Sequence, residues 1–171
     1  MKLTWLVAGL ALVLWADSAG GLKWTAPDGW KSEGTAPMRA ATYRLPPAPG
    51  DKEPAECVVY FFGQGQGGSV EANIARWKSQ FHTPDGKVAN AVVMKLSVHG
   101  LPVTTIDTSG DYSGMGGPVA AGPLAHGYRL LGAIIENAGG NVFVKFTGPI
   151  KTISQNQQNF ERLLASFQGA N

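Results

Sequence analysis

YRLLGAIIE, residues Tyr128 to Glu136, and VFVKFT, residues Val142 to Thr147, are two apolar runs rich in residues that suit a pleated, half-buried backbone. Between them, Asn137-Ala138-Gly139-Gly140-Asn141 has the composition of a hairpin connection. Strands joined this tightly pair antiparallel, and that pairing decides the fold class. Further on, Ser154 with Gln157 three residues later reads as a capping box. It precedes Phe160, Leu163, Leu164 and Phe167 on one helical face, and Gly169 closes the helix.

Upstream, the same alternation of strand and helix signals continues. Met38 to Leu45 and Glu56 to Phe62 read as strands, separated by a proline-rich loop that cannot join a sheet interior. The continuous apolar character of the second predicts burial on both faces. From Ser69 to Phe81, Val70, Ile74, Trp77 and Phe81 recur at spacings of four, three and four, which predicts an amphipathic helix lying on the sheet. Val92 to His99 and Leu101 to Asp107 form a hairpin split at Gly100, and the glycine-rich stretch Thr108 to Gly127 reads as a surface loop. Near the start, Pro27-Asp28-Gly29 makes a turn between Trp24 and Trp30. The order is turn, two strands, helix, two strands, loop, two strands, helix. It predicts a single α+β domain, an α/β/α sandwich on a mainly antiparallel sheet.

The N-terminus has a different character. Met1-Lys2 is a short cationic region, Leu3 to Ala16 is an apolar run, and small or polar residues follow from Asp17 to Gly21. That three-part pattern predicts a signal peptide over residues 1–21, cleaved near Ala19 to Gly21, and a secreted or periplasmic product. A run of about fourteen residues falls short of the roughly 20 that span a bilayer, so no permanent membrane anchor is expected. Removing the first 21 of the 171 residues leaves 150, enough for one domain, residues 22–171, that buries roughly 70% of its unfolded surface. Only 15% of the residues are charged, the net charge is +2 and the cations are scattered, which argues against nucleic acid as a partner. Cys57 is the single cysteine, which excludes an internal disulfide.

Three strings resemble a known group. Trp24-x-x-Pro27-x-Gly29-Trp30, the Asn73-x-x-Arg76-Trp77-x-x-Gln80-Phe81 helix and the closing segment from Tyr128 to Phe167 look like the PsbP-like fold group, which includes uncharacterised secreted or periplasmic bacterial proteins. The resemblance covers most of residues 24–167. It implies an α/β/α sandwich, export, and a binding or assembly role without catalysis, and it carries over no functional residue.

Motifs with chemical meaning fall short on spacing. Gly63-x-Gly65-x-x-Gly68 has the spacing of a dinucleotide loop, but no acidic residue ends the next strand and Glu71 would oppose an anion at the helix start. A strand-to-helix connection capped by Ser69 is the expected reading, with no cofactor. His82, His99 and His126 are scattered, and a metal site combining His99, Asp107 and His126 would need geometry that spacing does not supply. Ser113 lacks a nucleophile-elbow frame. Asp107, Asp111, Tyr112, Asn137 and Asn141 do not follow a calcium-loop spacing. No catalytic or metal-binding residue is therefore assigned.

The remaining candidates are partner-binding residues: Trp24 and Trp30, which flank a turn and suit core packing first and an exposed aromatic anchor second, and Asp111, Tyr112 and His126 in or beside the glycine-rich loop. The expected function is that of an exported, monomeric, non-enzymatic binding or accessory protein, its partner an unknown protein or small molecule. A periplasmic carrier of a small ligand or metal is the first alternative, and a hydrolase with an unrecognised site the second.

Overall fold

The computed structural model describes residues 16–114 and 124–170. The chain order is β1 (Ala16–Ala19), β2 (Leu22–Thr25), β3 (Arg39–Leu45), β4 (Ala55–Phe61), α1 (Val70–Lys78), β5 (Phe81–His82), β6 (Ala91–Val98) and β7 (Leu101–Tyr112). There follow β8 (Ala125–Ile135), β9 (Val142–Pro149), α2 (Ile150–Gln155), α3 (Gln157–Ala165) and β10 (Gln168–Gly169). A seven-stranded sheet runs β3-β4-β9-β8-β7, with β5 and β6 both pairing β7; all of its pairings are antiparallel. A small second sheet, β1-β2-β10, stands apart.

The period-2 alternation of the central strands builds two cores, one on each face. Along β9, Val142, Val144 and Phe146 join Cys57, Val59, Leu131, Ala133 and Ile135 beneath α2 and α3. Phe143 points the other way, with Leu130, Ile134 and Ile106, beneath α1. The helices on opposite faces make the α/β/α sandwich that the sequence predicts. β4 is buried on both faces at Cys57, Val58 and Val59.

The two faces are covered unequally. One receives α2, α3 and the small sheet; the other receives α1, nine residues and so about 13 Å long. Six strand positions at about 4.8 Å spacing make a sheet about 24 Å across, and among the described residues one helix about 10 Å wide leaves part of that face open. α1 is fastened where Trp77 lies over Gly132: a β-carbon there would stand 2.7 Å from the indole ring and 2.8 Å from Ile106. The Ser69 hydroxyl caps the helix by accepting from Ala72 N at 3.1 Å, as expected.

Several expectations are corrected. β7 runs on to Tyr112 and β8 begins at Ala125, so Thr108 to Tyr112 and Ala125 to Gly127 are paired strand and not loop. Of the expected loop, residues 115–123 lie outside the described residues. Ser154 does not cap a helix: it sits inside α2, and α3 starts after a break at Asn156. Both Ser154 Oγ and Gln157 Oε1 instead accept from the Arg129 guanidinium, at 2.9 Å each, while the same guanidinium grips Asp107 at 2.7 and 2.9 Å. One side chain thus ties β7 and β8 to both helices. Phe81 belongs to β5, and Gly169 pairs with Leu22 in the small sheet.

Most of the predicted leader, residues 1–15, lies outside the described residues. The region expected to hold the cleavage site is β1 and its turn. Ala16–Ala19 pairs with β2, the Tyr43 hydroxyl donates to the Asp17 carboxylate, and Asn137 Nδ2 donates to the Gly20 carbonyl.

Candidate functional site: a cationic cleft on the open sheet face

The face that α1 leaves partly open is not flat. A cavity of about 300 Å³ lies between α1 and β3, β4 and β9, and a second of about 200 Å³ extends it toward the β7 and β8 ends. Arg39, Tyr60 and Lys145 line both, so the two are lobes of one cleft. The larger is at the lower end of the range typical of ligand pockets.

Lys145 stands at its centre. Along β9 it occupies the α1-facing position two residues after Phe143, where the alternation calls for an apolar side chain. Its residue is 4% exposed. Nζ donates to Gln80 Oε1 at 2.7 Å and to the Tyr112 hydroxyl at 3.1 Å, and lies 5.2 Å from the Tyr112 ring centroid. Burial first, and then the neighbouring Arg76 charge, push its ammonium down to about 7. Burial likewise pushes the Tyr112 phenol up to about 12 and raises Tyr60.

Aromatic rings form the walls. Tyr60, near the end of β4, and Phe62, just beyond it, stack with 5.9 Å between centroids and 6° between planes. The Arg39 guanidinium lies over the Tyr60 ring at 5.6 Å. Tyr112 and Tyr128 stack at 5.9 Å on the far side. Thr147 Oγ1, which lines the smaller lobe, is buried without a hydrogen-bond partner. Glu56 is the acid of the cleft lining, and Arg39 and Arg44 hold its carboxylate at 3.1 and 3.3 Å. The arrangement can desolvate a small molecule, stack a planar body and compensate negative charge.

The residues singled out in the sequence fall in three places. Trp24 and Trp30 are core: Trp24 is 1% exposed, stacks on Phe167 at 5.0 Å and donates from Nε1 to the Tyr43 hydroxyl. Trp30, 8% exposed, packs against Phe146. Both side chains point inward, among Tyr43, Phe146 and Phe167. Asp111 accepts from His126 at 2.8 Å at the rim of the sheet, while Tyr112 turns into the cleft. Arg39, Tyr60, Arg76 and Lys145 were missed. The available signal was the lysine in VFVKFT, in phase with Phe143 inside a strand otherwise read as core.

The other motifs resolve into structural roles. Around the Gly63-x-Gly65-x-x-Gly68 string, Asn73 Nδ2 donates to the Gly67 and Ser69 carbonyls, binding α1 to its own lead-in loop. The Ser113 hydroxyl donates to the Gln80 carbonyl. His99 Nδ1 lies 2.9 Å from the Phe167 carbonyl, Asp107 is held by Arg129, and His126 contacts Asp111, so the three are not assembled around one point. Among the described residues, no group of three or more His, Cys, Asp or Glu is placed to hold a metal ion, and no helix is long and apolar enough to cross a membrane. Burial pushes the Cys57 thiol well above its ordinary range.

This architecture is that of the PsbP-like fold, an α+β sandwich on an antiparallel sheet. Among solved structures, the chain is similar to the cyanobacterial PsbP protein CyanoP from Synechocystis, with a TM-score of 0.54 at 13% identity over 96% of this chain and 98% of that one. It is also similar to LpqN of Mycobacterium tuberculosis, a protein involved in cell envelope biogenesis, with a TM-score of 0.57 at 10% identity over 88% and 83% of the two chains. A third similar structure is PA94 of Pseudomonas aeruginosa, a protein of unknown function, with a TM-score of 0.52 at 13% identity over 87% and 92%. None of the three is described as an enzyme. No family model and no curated protein matches the sequence. At these identities the likeness is one of fold.

Proposed function

We propose that this chain is an exported, non-enzymatic accessory protein that holds a small ligand in the cleft around Lys145. The observation that carries the reading is a lysine buried in the middle of a central strand, where it opens onto a cavity that α1 is too small to cover. An apolar residue there would complete the core beneath α1 at lower cost, since an ammonium loses hydration on burial. The residue therefore fits a binding role better than a packing role. The three similar structures favour an accessory role, and the N-terminal pattern favours export.

A melting-temperature screen with a chemically broad panel of small molecules tests the reading. A ligand selective for the folded state raises the melting temperature by mass action. The expected result is a compound class that stabilises the wild type and loses its effect in Lys145→Met. Hits that stabilise both proteins equally would place binding elsewhere and remove the cleft from the account.

A further inference from the structure

The cleft is selective in charge as well as shape. Its lining sets three cations, Arg39, Arg76 and Lys145, against the carboxylate of Glu56, which two arginines already hold. The larger lobe contains all three cations and no acid. Arg76 and Lys145 are near enough for the first to disfavour the charge of the second. An anion seated between them relieves both that repulsion and the loss of hydration that burial imposes. Beside them, Tyr60 and Phe62 stack on each other, and the free edges and outer surface of that pair offer a planar apolar body offset-stacked or edge-to-face contact. The volume of about 300 Å³ limits the ligand to a small molecule.

Resting on the reading of this cleft as a ligand site, we propose that it takes a small aromatic carboxylate, with the carboxylate between Arg76 and Lys145 and the ring against Tyr60 and Phe62. The ammonium form of Lys145 is the binding form. Above about pH 7 the empty cleft loses that proton, and binding of the anion must draw it back from solvent, so affinity falls with rising pH and binding takes up a proton. Among the described residues, the charged and titratable groups that line the cleft with Lys145 are Arg39 from β3, Glu56 and Tyr60 from β4, Arg76 from α1, Tyr112 from β7 and Tyr128 from β8. Burial raises all three tyrosines away from this range. Lys145 therefore sets the profile.

The test is calorimetric titration of the purified chain with a matched panel of aromatic carboxylates and their neutral amides. It is run at pH 6 and pH 8.5 in buffers of different ionisation enthalpy. The expected result is that carboxylates bind at least about tenfold more tightly than their amides, weaken roughly tenfold per pH unit above about 7, and take up a proton on binding. Arg76→Gln should weaken the acids more than the amides, and Lys145→Met should abolish the pH dependence. Melting curves confirm that each variant is folded. Amides that bind as tightly as acids, or acids that bind both variants as well as the wild type, would overturn the anion assignment. If neutral compounds alone bind, at a site sensitive to Lys145→Met, the anion assignment falls while the cleft stands. If the acids, the amides and the broader screen all give no binding, both fall.

Discussion

At the scale of single residues, Lys145 has a stability signature independent of any ligand. Its folded-state ammonium is depressed to about 7 from the ordinary lysine range near 10.5, so between these values the unfolded chain binds more protons than the folded one. Stability contributed by this site therefore rises as pH increases from about 7 toward 10, and below 7 the full cost of burying the charge is present. Lys145→Met should accordingly raise stability at pH 6 by about 1–4 kcal/mol and flatten the rise above 7, as denaturant unfolding across that range will show. A variant destabilised at pH 6 would mean that the ammonium is a net structural contributor. The lysine was legible in VFVKFT only once the facing of the strand was known. Spacing alone marks metal, phosphate or nucleophile motifs, and this cleft gathers its residues from β3, β4, α1, β7, β8 and β9. Trp24 and Trp30 show the converse: local sequence placed them beside a turn, and only the packing of Phe167 and Phe146 shows that they face inward.

At the scale of elements, α1 was readable from its stripe and its cap. Ser69→Ala should cost about 1 kcal/mol in equilibrium unfolding, the usual value of a helix cap. Gly132→Ala should cost more, about 1–3 kcal/mol, because the added methyl meets the Trp77 ring and Ile106, and it should disturb the cleft by lifting α1. An unchanged unfolding midpoint in Gly132→Ala would contradict the close approach of helix and strand. The C-terminal helices were read correctly in their apolar face and wrongly in their start. Ser154 and Gln157 satisfy the spacing of a capping box, yet that same spacing lets both receive one guanidinium. Arg129→Lys, which keeps the charge but loses the fork on Asp107, should lower stability measurably, whereas Ser154→Ala should leave the helical content unchanged by circular dichroism. The short strands β1, β5 and β10 escaped notice because two to four residues carry too little periodicity to register.

At the scale of the whole molecule, the central hairpin and the strand order determine an antiparallel sheet with helices on both faces, and sequence patterning sufficed to expect it. The small β1-β2-β10 sheet was not legible, because its strands come from opposite ends of the chain. It bears on export. A cut between Ala19 and Gly21 would remove β1 together with the Asp17 acceptor of the Tyr43 hydroxyl, whereas a cut ahead of Asp17 would keep that acceptor and β1 from Asp17 to Ala19. The hydrogen bonds favour the second, and under the proposed export the intact mass of the product should place its N-terminus at or before Asp17. A mass beginning after Gly21 would instead mean that the folded product does without β1.

The uneven covering of the two sheet faces is what supports the proposed binding role: among the described residues, α2, α3 and the small sheet cover much of one face, and α1 leaves part of the other open beside Lys145. The measurement that tests this most directly is a proton–nitrogen correlation spectrum of the labelled chain, titrated with a stabilising carboxylate. The account predicts shifts concentrated at Arg39, Tyr60, Arg76, Gln80 and Lys145, saturating with the calorimetric affinity. Saturable shifts confined to the opposite face, among α2, α3 and β6, with those five residues unmoved, would contradict it.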